Sequence, residues 1–220
     1  MKRRFLLATL LCSAGASTAS AADGFPYGSS LIFTAYRSGQ MIGHHALRFR
    51  EDGGKHLVST SVDFDVRILG ITLYRFNYRS HEIWSGDTFQ SVEAETNDDG
   101  KKYSVHAQHS DAGLAVDIGA PPPALDQKVF PAGTLPSTHW NREQVRQSAL
   151  LNTQSGKLSR IQVVPLGRET IKTATGTLEA TRYDYTGDVV MSQWFDDRDR
   201  WVKSTFQASD NSTIEYVLQE

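Results

Sequence analysis

The stretch VSTSVDFDV, residues 58–66, decides the fold. Val58, Thr60, Val62, Phe64 and Val66 fall on one side of an extended chain, and Ser59, Ser61, Asp63 and Asp65 fall on the other. Alternation at period two marks a β-strand with one dry and one wet face. The same pattern recurs at residues 31–37, 42–51, 73–84, 88–97, 102–109, 114–118, 158–164, 177–186, 189–195, 201–208 and 213–219. Turn sequences separate the runs: RSGQ, EDGGK, WSGDT, NDDGKK, SDAG, LGRE, ATGT, YTGD, DDRDR and SDNS. Their Gly, Asp and Asn residues tolerate the positive backbone angles of tight hairpins. About a dozen short strands at hairpin spacing predict a mainly β protein, a single antiparallel meander forming a half-open or closed β-barrel. No linker or shift in composition divides residues 22–220, so one domain is expected.

One passage interrupts the meander. In GAPPPALDQKVFPAGTLP, residues 119–136, a triple proline has no N–H to give a ladder and reads as an extended connection. STHWNREQVRQSALLN follows, with Ser137 or Asn141 as a cap and Glu143 in the first turn. This predicts a helix over residues 140–151, with Val145, Ala149 and Leu150 on one face, covering an open side or end of the barrel. Trp140 then reads as a stopper. His139 is its hydrogen-bonding neighbour, its protonation depressed by the helix N-terminus.

The first 21 residues, MKRRFLLATLLCSAGASTASA, have the layout of an export signal: Lys2, Arg3 and Arg4, then an apolar run from Phe5 to Leu11, then Ala19-Ser20-Ala21 for cleavage. Periplasmic or secreted location is expected, by the general or the twin-arginine route. Leu11 before Cys12 is too large for a lipoprotein signal. No later run approaches the roughly 20 apolar residues of a spanning helix, so no transmembrane span is expected. Cleavage removes Cys12, the single cysteine, and with it any disulfide or thiolate chemistry. It also removes three of 23 Lys and Arg, leaving 20 against 25 Asp and Glu, a balance of −5. That mild acidity argues against nucleic acid and anionic membrane as electrostatic partners.

The histidines give no metal signature. His44 and His45 are neighbours on a strand and point to opposite faces, and His106 and His109 do the same. Neither metal nor cofactor is expected. No G-x-S-x-G elbow is present, and TQSGK, residues 153–157, lacks the first half of a phosphate loop and reads as a turn. No catalytic residue is assigned. In LYRFNYRSHEIW, residues 73–84, alternation groups Tyr74, Phe76, Tyr78, Glu82 and Trp84 on one face. If that face is interior, Glu82 aims a carboxylate into apolar space, where an unpaired charge is costly. It then either pairs with an arginine such as Arg48 or Arg182, anchors a ligand head group, or serves as a general acid. Trp84, Trp194 and Trp201 lie beside hairpin turns and read first as end-caps of a barrel.

Several segments occur together in an order that resembles domain-of-unknown-function family 6134, secreted or periplasmic proteobacterial proteins. They are GSSLIFTAYRSGQMIGHHALRF (28–49), HEIWSGDTFQSVEAETNDDGKKYSVHA (81–107), PSTHWN (136–141), LLNTQSGKLSRIQV (150–163) and ATRYDYTGDVVMSQWFDDRDRWVKSTF (180–206) with IEYVL (214–218). The most specific parts are Glu82-x-Trp84, residues 136–141 and the Trp194 strand. The C-terminal half is also similar to lipoprotein-carrier-like periplasmic β-meander proteins, although WFDDRDRWVK carries a longer and more charged turn than their pattern. The resemblance implies an envelope β-protein and transfers no catalytic residue.

Three readings stay open. The leading one is a non-catalytic carrier of an apolar or amphipathic small molecule, bound by Tyr74, Phe76, Tyr78, Glu82, Trp84, His139, Trp140 and Trp194. The second is a structural envelope protein with a packed interior, and the third a hydrolase or isomerase using Glu82 and His139. No protein partner is indicated.

Overall fold

A computed structural model describes residues 27–119, 128–208 and 210–219. The export segment and the triple proline lie outside the described residues. The first half of the chain is an up-and-down meander: β1 (Ser30–Arg37), β2 (Gln40–Asp52), β3 (Lys55–Ile68), β4 (Ile71–Ser85), β5 (Thr88–Asp98), β6 (Lys101–Ser110), β7 (Gly113–Gly119) and β8 (Lys128–Phe130). The second half adds β9 (Leu135–Pro136), β10 (Ala149–Asn152), β11 (Lys157–Thr173), β12 (Gly176–Gly187), β13 (Met191–Phe195), β14 (Trp201–Gln207) and β15 (Thr213–Leu218). Each of the dozen runs expected from alternation is a strand. The turn expected at LGRE is instead a bulge inside β11, between Pro165 and Gly167, because the ladder with β12 continues on both sides. Proline lacks the N–H a regular ladder needs there, and a bulge accommodates it.

All fifteen strands form one sheet, ordered β8-β7-β6-β5-β4-β3-β2-β1-β15-β14-β13-β12-β11-β10-β9. The two halves meet where β1 pairs antiparallel with β15, Phe33 opposite Leu218 and Arg37 opposite Ile214. The outermost strands, β8 and β9, are joined by residues 131–134 alone. Five residue steps from Phe130 to Leu135 span at most ~17 Å, so a sheet of this width must curl until its edges face each other. They come together without pairing, so the sheet is barrel-like and open, with a seam between β8 and β9. One pair departs from the antiparallel rule: β9 runs parallel to β10, Leu135 opposite Leu150.

The helix expected over residues 140–151 does not form. Asn141 does act as a cap, its side chain accepting from Glu143 N at 2.9 Å, but only one 3-10 turn follows, Arg142–Arg146. Gln147 is already extended (φ −84, ψ 152), and the next residues enter β10. Among the described residues no other helix is present. The physical reason lies in Leu150 and Leu151, both buried, which a helix would have placed on adjoining faces. As a short strand they pair with Ser159 and Leu158 of β11.

Residues 135–156 thus form a plug across the interior. Trp140 packs edge-on against Trp84 of β4, Phe49 of β2 and Tyr27. Tyr27 donates a hydrogen bond to the Trp140 carbonyl and accepts one from Trp201 N at 2.9 Å. At the far end of the plug, Thr153 accepts from Tyr78 at 2.7 Å, and Gly156 lies so close to Ile118 that a Cβ would sit 2.4 Å from its Cγ1. One side of the plug is therefore closed by packing and hydrogen bonds.

Candidate functional site

Strand register decides what faces the plug. Inward positions on β4 carry Tyr74, Phe76, Tyr78, Ser80 and Glu82, set against Val66, Phe64, Val62, Thr60 and Val58 of β3. The single face read from LYRFNYRSHEIW is the interior one, and the plug divides it in two.

Glu82 lies on the closed side and is fully buried. Trp84 Nε1 donates to its Oε2 at 3.0 Å, and Trp140 Nε1 lies 3.2 and 3.3 Å from its two oxygens. Burial pushes the carboxyl up to about 7, against the lowering effect of hydrogen bonds from Trp84, Thr138 and Trp140. The arginine pairing expected as one reading is not made. Arg48 is exposed, and Arg182 pairs with Asp184 at 2.7 Å on the other face of the sheet. Two indoles take the arginine's place, since they satisfy a carboxylate without burying a second charge.

His139 is held in a left-handed conformation (φ 72), which costs a residue with a Cβ of order 1 kcal/mol or more. Gln144 Nε2 donates to its carbonyl at 2.6 Å, and Gln193 Nε2 lies 2.8 Å from its Nδ1. Burial lowers its pKa to about 4, so the imidazole is neutral at pH 7. The direction expected from the sequence holds, but the cause is burial rather than a helix terminus. The ring packs 6.0 Å from that of His45 and 5.1 Å from Trp201. His45 is also buried, which with the neighbouring His139 depresses its protonation strongly. Both its ring nitrogens lack a hydrogen-bond partner, as does Gln193 Oε1. His45 went unremarked as an interior residue, although it shares an alternating face with Leu47 and Phe49. No hydrogen bond joins His139 to Glu82; Trp140, the next residue after His139, donates to the carboxylate instead.

On the other side of the plug a cavity of about 580 Å³ opens toward the hairpins at one end of the barrel. Its walls are Ile42, Phe64, Val66, Tyr74, Phe76 and Phe206, with Tyr216 and Gln154 also reaching it. Phe64 stacks near Phe76 at 5.9 Å and Phe206 meets Tyr216 edge-on at 5.6 Å. Arg37, Asp98 and Asp210 bring charge to the lining. These charges are tied down: Arg37 pairs with Asp210 and hydrogen-bonds Ser212 at 2.7 Å, and Asp98 accepts from Tyr74 at 2.7 Å. Hydrogen bonds from the Ser212 hydroxyl and backbone N–H, and then the Arg37 guanidinium, hold the Asp210 carboxyl down at about 2. Tyr216 separates this space from the histidines, packing against His45 at 5.2 Å.

The expected site residues therefore fall into three groups. Tyr74 and Phe76 line the cavity. Tyr78, Glu82, Trp84, His139 and Trp140 belong to the plug and the packed interior. Trp194 joins neither: it lies on the opposite face to Gln193, between the Arg182 and Lys203 cations at 5.3 and 5.1 Å, and donates to Glu169. Phe64, Phe206 and Tyr216 were missed because β3 is far in sequence from the β14–β15 pair, and only the curl of the sheet through β2 and β1 brings them to one space.

A barrel-like antiparallel β-protein with a plugged interior and an apolar end cavity is the class that fold and site define. Residues 33–219 match the family described as Domain of unknown function (DUF6134), and the chain belongs to that family. It is similar in structure to a beta-barrel-like protein of domain of unknown function DUF1849 from Brucella abortus, with a TM-score of 0.61 at 11% identity over 87% of this chain and 95% of that chain. At that identity the likeness concerns the fold alone. No curated protein matches the chain.

Proposed function

We propose that the protein binds an apolar or amphipathic small molecule in the end cavity, and that it does so outside the cytoplasm. The observation that carries the binding reading is the cavity itself. Its volume of about 580 Å³ falls in the range of roughly 300–1,000 Å³ common to small-molecule sites, and its aromatic and aliphatic walls with few polar groups match their chemistry. The N-terminal sequence, with its cations, apolar run and Ala19-Ser20-Ala21, supports export. The carboxylate and imidazoles do not share this cavity, which supports binding without catalysis. Glu82 and the His45–His139 pair then serve the plug, giving the packed half its specific arrangement.

The test is native mass spectrometry of the full chain purified from its own cell envelope, beside a Phe76→Arg variant that places a charge in the cavity wall. A small molecule retained by the wild-type protein and lost from the variant is expected. If none accompanies the wild-type protein in several growth conditions, the purely structural reading replaces this one.

A further inference from the structure

The strands that wall the cavity also carry, at their hairpin end, the most exposed apolar side chain among the described residues, Leu69, and three other exposed ones. At the β3–β4 hairpin Leu69 is 98% exposed, Ile71 66% and Leu73 56%, and Met41 at the start of neighbouring β2 is 52% exposed. Ten large hydrophobic residues are exposed among the described residues, and four of them gather at this one end. They stand beside the cavity mouth, since Val66 and Tyr74, the pair just inside the hairpin, both line the cavity. Leu69 also has a positive φ of 52, an unfavourable conformation for a residue with a Cβ, and it precedes Gly70 at φ 82. Turns of this shape favour Asn, Asp or Gly. Leucine at that position sacrifices local stability to present an apolar side chain to the outside.

We propose that this hairpin is a lip that dips into a phospholipid surface and brings the cavity mouth to it. The inference rests on the binding reading above and adds the source of the ligand: an apolar or amphipathic molecule that partitions into lipid. Two observations favour lipid over a protein partner. A hairpin tip with four side chains is far smaller than the ~800 Å² that each side of a stable protein interface buries, whereas it suits a shallow insertion of about 5–10 Å. Behind the tip stand the Arg67 and Arg75 guanidiniums, both exposed and sharing the single carboxylate of Asp65. Arg67 is two residues, or ~7 Å, behind Leu69, at the depth of lipid phosphates. Asp99 of the β5–β6 hairpin also stands beside Arg75, accepting from its backbone N–H, so with Asp65 the acids match the two arginines in number and the lip carries no cationic excess. Apolar insertion anchors the lip and the arginines complement the headgroups, so uncharged vesicles should suffice.

The experiment is flotation of the full chain with vesicles of phosphatidylcholine, and of phosphatidylcholine mixed equally with phosphatidylglycerol, for the wild-type protein and a Leu69→Asp/Ile71→Asp double variant. Aspartate suits a positive φ better than leucine, so the variant should melt no lower than the wild type. Burying each side chain is worth roughly tenfold or more in partitioning, so the wild type should float and the variant should lose flotation by at least tenfold. Binding of the fluorophore N-phenyl-naphthylamine reads the cavity separately and should be unchanged in the variant. A wild-type protein that stays in the soluble fraction, as one with a protein partner at this lip would, overturns the proposal. So does a double variant that floats as well as the wild type. Failure of the fluorophore to bind either protein would strike the cavity reading instead.

Discussion

Replacing Glu82 by glutamine should stabilise the protein, and by an amount that depends on pH. In the folded chain burial pushes this carboxyl from 4.5 up to about 7. On folding it therefore takes up a proton between those two values. The stability associated with that proton is fully present below about pH 4.5 and is lost as the pH rises through about 7. At about 1.4 kcal/mol per pH unit, the loss comes to about 3 kcal/mol. Glutamine has no proton to lose. Its carbonyl can take the place of Glu82 Oε2, which accepts from both Trp84 and Trp140, and its amide can turn to the Thr138 hydroxyl. The histidines act with the opposite sign: His139 falls from 6.5 to about 4, so the stability it contributes is present above 6.5 and lost as pH falls through about 4. Comparing E82Q with wild type at each pH cancels that contribution. Urea unfolding at about pH 4.5 and about pH 8 should show the variant gaining about 3 kcal/mol on the wild type between the two. A difference that does not change with pH would mean that Glu82 titrates normally and that the buried indole–carboxylate arrangement is wrong.

Other perturbations separate the parts of the interior. Trp140→Ala removes the ring wedged among Trp84, Phe49 and Tyr27 and should cost about 3–5 kcal/mol by urea unfolding. His45→Leu fills similar space without two unpartnered buried nitrogens, so stability in the same assay should hold or rise by about 1–2 kcal/mol; a clear loss would reveal a role for the imidazole. Gly43→Ala would set a Cβ 1.8 Å from the Asp63 carbonyl oxygen at a φ of 152, forcing β2 from β3; a fall in melting temperature of several degrees is expected. Trp194→Phe lies on the outer face, so it should leave N-phenyl-naphthylamine binding unchanged.

Alternation and turn chemistry made the strands legible because both are local: VSTSVDFDV and its counterparts state which side chains turn inward wherever the strand lies. The limits appear where local signals compete with distant packing. Asn141 caps and Glu143 sits well in a first turn, yet the chain leaves helical geometry at Gln147 because β11 offers Leu150 and Leu151 a better burial. LGRE looks like a turn but is absorbed as a bulge, because β12 pairs across it. The carboxylate Glu82 was visible as an inward acid with Trp84 on its face, but not its second indole partner: Trp140 is 58 residues away in sequence. Face assignment also fails beyond one strand. Trp194 is outward because of its register with Arg182 and Lys203, which no property of MSQWF reveals. His45 was readable by parity with Leu47 and Phe49, and pairing it with His139 required the plug. The cavity is the least local feature, since Ile42, Phe76 and Phe206 meet only when the sheet curls.

The central claim, a plugged barrel that keeps one apolar end for a ligand, is tested most directly by titrating the full chain with N-phenyl-naphthylamine beside a Val66→Trp variant whose indole would occupy the cavity of about 580 Å³. Saturable binding at one site is expected in the wild-type protein, and its loss in a variant that still melts cooperatively. Equal saturable binding in both proteins, or no saturable binding in the wild type, would contradict it.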